Sequence, residues 1–267
     1  MFSDIRPMSL LVFRRPLEVI ATAMMLGSAI VAPASAAEFT DAQKAALGPI
    51  IRDYLVQNPE VVRDAIAALD KKQKDDEETR RLQAVDTSSS DLFNSPYQAT
   101  LGNPSGKVTL VEFFDYNCGY CKRALDDTAK LLKSEPELKV VLKDFPVLGP
   151  GSVEAAQVAG AVRNQFKGDK FWQYHYKLLS SHGPVGKAQA LSVAKDLGAD
   201  MDQIAKDMDK PEIRAGIQQN MQLADMLSLT GTPSYVVGKD VVVGAVGYDE
   251  LKGRVDNNLR CGKAECS

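Results

Sequence analysis

The stretch VTLVEFFDYNCGYCKRALDDTAKLL, residues 108–132, limits the chain's possible folds more than any other. Lys107 to Asp115 is an apolar run rich in Val and Phe, the composition of a buried strand. Amphipathic helical spacing opens at Cys118 and runs to about Ser134, where Glu135-Pro136 stops it. The next run, LKVVLKDF, is again a strand. Strand, helix and strand in this order predict a β-α-β unit with parallel strands and a right-handed crossover. Two cysteines, Cys118 and Cys121, therefore stand where the first strand hands over to the helix.

That position decides what the thiols can do. Unpaired backbone N–H groups and the helix dipole favour negative charge at a helix start. A thiolate is the attacking form of cysteine, so Cys118 is expected to have a lowered pKa and to be the nucleophile. Cys121, one turn further in and better buried, is placed to resolve a mixed disulfide formed at Cys118. Gly119 and Tyr120 between them tune thiolate stability and hence redox potential. A structural staple is the first competing reading, but this spacing closes almost no loop. A zinc site is the second; it needs two more ligands, which Cys261 and Cys266 could supply, yet zinc pairs usually occupy knuckle-like turns.

The remaining chain supplies compartment and context. Arg6, Arg14 and Arg15 precede the uncharged apolar stretch Val19 to Ala32, and Ala34-Ser35-Ala36 fits a cleavage site. Residues 1–36 are read as a signal peptide, which places the protein in an oxidising, periplasmic compartment. The formal net charge of −3 gives no support for nucleic-acid binding. Residues 37–85 are helical in pattern, with Thr40 as a cap and Asn58-Pro59 as a break. Their narrow apolar stripes (Leu47, Ile50, Ile51, Tyr54, Leu55; then Val61, Val62, Ile66, Leu69) must pack on the main domain or on other subunits. Residues 86–96, within the polar run DTSSSDLFNSPYQ, read as a linker.

A globular domain is expected over 97–267, with a short strand at 97–101 before the β-α-β unit. A block of about five helices, 152–229, interrupts it; a hairpin (SYVVG, KD, VVVGAV) and a last amphipathic helix close it. The order β-β-α-β, helices, β-β-α is an α/β, thioredoxin-like fold with a helical insertion, preceded by an N-terminal helical segment. His175 and His182 lack partners at ligand spacing and read as core or surface residues, and neither a metal nor a cofactor is expected. Thr232-Pro233 opens the strand after the insertion; a cis bond there would leave backbone groups free to pair with an incoming chain. An ordinary trans proline on an edge strand is the alternative.

VEFFDYNCGYC, KDFPVLGPGSVEAA and TGTPSYVVG, in this order, resemble the DsbA-type periplasmic thiol-disulfide oxidoreductases over about residues 96–260. The resemblance implies Cys118 as nucleophile, Cys121 as resolving thiol and Pro233 as the cis-proline beside them. Gly119-Tyr120 departs from the Pro-His of strongly oxidising members, and Thr232 is the residue found in isomerase-type members. The helical extension is similar to that of the ScsC branch, the suppressor-of-copper-sensitivity proteins, some of which are trimers. By that resemblance the chain is a disulfide isomerase or reductase of unfolded or misoxidised exported proteins. It would assemble through residues 38–82 and be reset by a membrane redox partner. A DsbA-like oxidase and a thiol-based copper or zinc carrier are the alternatives. Glu112 and Lys143, in the two strands flanking the active helix, are candidate proton relays; solvent-facing strand charges are the bland reading. Cys261 and Cys266 read as a local C-terminal disulfide.

Overall fold

Alternation along two strands builds the core. β2 (Val108–Phe114) and β3 (Leu138–Asp144) run parallel, Val108 opposite Leu138 and Phe114 opposite Asp144. The computed structural model describes residues 39–263 and 265–266; the segment read as a signal peptide lies outside them. α4 (Gly119–Ser134) is the crossover between the two strands. β1 (Ala99–Gly102) pairs antiparallel with β3, β4 (Ser234–Val237) with β2, and β5 (Asp240–Val243) with β4. The sheet order is therefore β1-β3-β2-β4-β5.

The two faces of β2 serve two cores. Leu110 and Phe114 join Cys121, Leu125 and Leu131 of α4, whereas Val111 and Phe113 join a separate cluster with Leu223 and Leu227. Period-two side-chain alternation produces this division. Leu125 and Leu131 are almost wholly buried, each contributing about 2 kcal/mol by removing apolar area from water. Five helices form the insertion: α5 (Pro150–Gln165), α6 (Gly168–Leu179), α7 (Lys187–Asp196), α8 (Met201–Met208) and α9 (Pro211–Met226). It opens two residues earlier than expected because Pro150, lacking an N–H, suits the first helical turn. α10 (Tyr248–Cys261) returns to the first core through Leu251 and Val255.

Two compact units divide the chain between Val61 and Val62. The first holds α1 (Asp41–Gln57), which opens on the expected Thr40 cap: Gln43 N–H donates to Thr40 Oγ1 at 3.2 Å, and Thr40 N–H donates back to Gln43 Oε1 at 2.9 Å. Its apolar residues Ile50, Ile51 and Tyr54 are 62, 54 and 56% exposed, so α1 buries no stripe within the chain. The second unit begins inside α2 (Pro59–Thr87), whose Ile66 and Leu69 are equally open.

The end of α2 is anchored. Arg81 donates from Nε to Leu227 O (3.1 Å) and from Nη2 to Ser228 O (3.2 Å), and Lys239 pairs with Asp86. The stretch expected to be a linker, 86–96, is instead largely structured: α2 continues to Thr87 and α3 (Ser89–Asn94) follows. Its serines conceal an apolar knob, Leu92, which joins Val85 of α2, Phe113 and Leu227 in one buried cluster.

Candidate active site

Cys118 is the N-cap residue of α4, with extended backbone (φ −75°, ψ 117°). Its amide donates to Asp115 O (3.0 Å), and its own carbonyl accepts from Lys122 N–H (3.0 Å). The peptide bond Thr232–Pro233 is cis. The thiol of Cys118 lies 3.1 Å from the Thr232 carbonyl. A hydrogen bond from Cys121 is the main reason the Cys118 pKa falls to about 5; burial opposes the fall. The Thr232 side chain and the amides of Cys121 and Tyr120 add to the stabilisation. The helix start does here what helix starts do for anions generally.

Cys121 has the opposite environment. It is fully buried, and donating to Cys118, together with burial, drives its pKa far above that of a free thiol. One sulfur is thus ready to attack, and the other is held protonated until the first is consumed. Beneath them, Glu112 of β2 is buried and accepts from Thr128 Oγ1 of α4 at 3.0 Å. Desolvation raises its pKa to about 7, and its charge acts on Cys121. Tyr235, opposite Glu112 in the β2–β4 register, is buried with an unpartnered hydroxyl and feels both Glu112 and the thiols.

Sequence reasoning missed the groups that hold the loop in place. Asp115 Oδ1 accepts from Asn117 N–H (2.8 Å) and Ser152 Oγ (2.7 Å). Its Oδ2 accepts from the amides of Val147 (2.9 Å) and Leu148 (3.0 Å). Asn117 extends the network to Val185, donating to its carbonyl (2.8 Å) and accepting from its amide (2.7 Å). One buried carboxylate therefore ties the residues before Cys118 to the loop after β3 and to the insertion. The only signal was an acid closing an apolar strand three residues before a cysteine. Val147 and Leu148, so fixed, are 42 and 55% exposed.

The other expected residues fall in different places. Tyr120 is 60% exposed, with the Arg123 guanidinium 4.1 Å from its ring centre, and Gly119 faces open space. Lys143 does not belong to the site. It lies opposite Phe113, on the face of the sheet away from Cys121, and is fully buried. Its ammonium donates to Asp91 O of α3 at 2.6 Å, so it satisfies a carbonyl near a helix end rather than serving the thiols. Cys261 and Cys266 are bonded to each other, which removes them as zinc ligands for the active pair. His175 is buried, 3.3 Å from the Tyr116 hydroxyl, with a pKa lowered by desolvation to about 3; His182 is exposed.

A nucleophilic thiol at a helix start, a buried resolving thiol behind it and the Thr232 carbonyl, just before a cis-proline, against the nucleophile support the chemistry of a thioredoxin-fold thiol–disulfide oxidoreductase. Comparison with known proteins narrows this class. The DSBA-like thioredoxin domain profile matches residues 109–256, and the profile of the copper resistance protein ScsC N-terminal domain matches residues 43–75. The chain belongs to the DsbA-like family, in its ScsC branch.

A thioredoxin-like oxidoreductase of Silicibacter pomeroyi DSS-3 is 40% identical. The match covers 64% of this chain and 98% of that one, with a TM-score of 0.61. A linker-deletion mutant of Proteus mirabilis ScsC is 27% identical over 85% of this chain and 99% of its own, with a TM-score of 0.63. Disulfide bond formation protein D of Bacillus subtilis is 24% identical, covering 61% of this chain and 78% of that protein. The chain also matches part of a Na(+)/H(+) antiporter, NhaA 1 of Salinispora arenicola, at 29% identity, and spans about a quarter (24%) of its length. No helix among the described residues is long and apolar enough to cross a membrane.

Proposed function

We propose that the protein is an exported thiol–disulfide exchange catalyst that reduces or reshuffles disulfides in periplasmic protein substrates. The observation that carries this reading is the asymmetry of the pair: Cys118 stabilised as a thiolate, Cys121 held as a buried thiol. Cys118 Sγ attacks one sulfur of a substrate disulfide, and the other substrate sulfur leaves as a thiolate. In reduction, Cys121 gives its proton to Glu112, directly or through one water. Cys121 then attacks Cys118 Sγ and releases the second substrate thiolate. The substrate gains two electrons and Cys118–Cys121 becomes a disulfide, which a membrane redox partner must reduce before the next round. In isomerisation a second thiolate of the substrate attacks instead, and no net electrons move.

A nucleophile near pKa 5 falls between the ~3.5 of a strongly oxidising pair and the ~7 of a reducing one and so does not choose the direction; the N-terminal helix is what favours reshuffling. The uncovered face of α1, with Ile50, Ile51 and Tyr54 in water, suits self-association into a trimer. An assembly concentrates several thiols around one misfolded chain. Equilibration with glutathione and refolding of a scrambled disulfide protein test the reading. A strongly oxidising potential with no isomerase activity would assign the protein to disulfide formation instead. Ile50→Asp with Ile51→Asp should shift the mass in light scattering to that of a monomer. An unchanged mass sinks the proposed assembly.

A further inference from the structure

A cavity of about 490 Å³ opens between β1 and the junction of α5 with α6. Lys139, Arg163 and Lys167 line it, and no lining residue is acidic. The chain as a whole is acidic, with a formal net charge of −3, so this local excess does not reflect general basicity.

The charges are poorly compensated. Arg163 is 8% exposed and spends Nη1 on the buried Asp144, at 3.1 Å from Oδ2. Lys139 donates only to neutral oxygens, Phe93 O (2.8 Å) and Asn94 Oδ1 (3.3 Å). Among the described residues no carboxylate pairs with Lys167, and Lys170 adds a cation over the Phe166 ring in the cavity wall. Asp169 lies in the first turn of α6 but does not line the cavity. Burial disfavours the charged form of both lining lysines, and Arg163 adds repulsion at Lys167. Lys167 is also the N-cap of α6 without a side-chain capping bond, and with Gly168 it puts the start of that helix, its positive end, in the cavity wall.

We propose that this cavity binds a small oxyanion, a phosphate or carboxylate group, through Lys139, Arg163 and Lys167. Guanidinium and ammonium donors around one concavity form charge-assisted bonds to such a group. The volume is that of a small-molecule site, which favours a free anion over a polymer.

Titration of the full chain with inorganic phosphate, at constant ionic strength against chloride, tests this. Saturable binding tighter than about 10 mM is expected, with a thermal midpoint that rises with phosphate but not with chloride. Lys139→Ala with Lys167→Ala should weaken binding at least about tenfold and leave the Cys118 thiolate titration unchanged. Since Lys139 also holds α3, the exposed Lys167→Glu alone is the second variant, and it should reverse the preference for phosphate over chloride. Binding that does not saturate, or that is unchanged in both variants, overturns the site.

Discussion

Replacing Glu112 by glutamine should change how stability depends on pH. Glu112 is fully buried, and desolvation lifts its pKa from 4.5 to about 7. Each tenfold change in proton affinity is worth about 1.4 kcal/mol, so burying this carboxylate in its charged form costs roughly 3 kcal/mol. Below 4.5 both folded and unfolded chains hold the proton, and the cost is absent. Between 4.5 and about 7 the folded state binds more protons than the unfolded state, so stability falls as pH rises. Above about 7 the full cost is present. The glutamine cannot ionise; its carbonyl keeps the Thr128 bond, but its amide protons lack an acceptor, a penalty of about 1 kcal/mol at every pH. The variant should therefore be slightly less stable than the parent at low pH and about 2 kcal/mol more stable above 7. Urea unfolding of both reduced proteins across this window measures the difference, in which the titration of Cys118 and Lys143 cancels. Parallel stability curves would refute the premise that Glu112 is buried at the cost of its charge. The same variant should slow release of a trapped mixed disulfide by roughly a hundredfold, the lower range for loss of a general base.

Other consequences can be checked separately. Ultraviolet thiolate absorbance should titrate with a midpoint near 5 in the parent; Cys121→Ala should raise that midpoint more than Thr232→Val, because the Cys121 bond is the stronger influence. Equal shifts would contradict that ranking. Lys143 is buried with its pKa lowered to about 7, so its charge costs stability below 7, and the cost fades as the folded protein loses the proton above it. Lys143→Met should thus stabilise more at pH values below 7 than above, leaving the thiolate midpoint unmoved; a moved midpoint would return Lys143 to the site. Arg81→Ala removes two bonds to the carbonyls of Leu227 and Ser228 and should lower unfolding free energy by about 2 kcal/mol. A loss below about 0.5 kcal/mol would show that α2 is not held there.

The sequence declares its fold where local chemistry and tertiary position coincide. A Val- and Phe-rich strand can only be buried, a cysteine after it can only stand at the helix start, and the five-helix insertion is punctuated by glycine and proline. Lys143 and the stretch 86–96 defeat a reading of the sequence for one physical reason. Both owe their state to each other: α3 persists because Leu92 finds a core beside Val85 of α2 and because β3 lysines take its carbonyls. A serine-rich segment shows no such partner in one dimension, and a lysine in a strand does not declare which face it occupies until register is fixed. Asp115 is hidden likewise, because all of its carboxylate's bonds but the one to Asn117 run to residues 32 to 37 positions away. The nucleophile is legible because its activation is local to a helix start. The buried carboxylate whose charge acts on the second thiol, Glu112, meets its neighbour Tyr235 only when β2 and β4 pair across more than a hundred residues. Attack by Cys118 should therefore tolerate changes far from α4 except at Thr232–Pro233, whose contact reaches the thiol across 114 positions, whereas resolution by Cys121 should respond to substitution of Glu112.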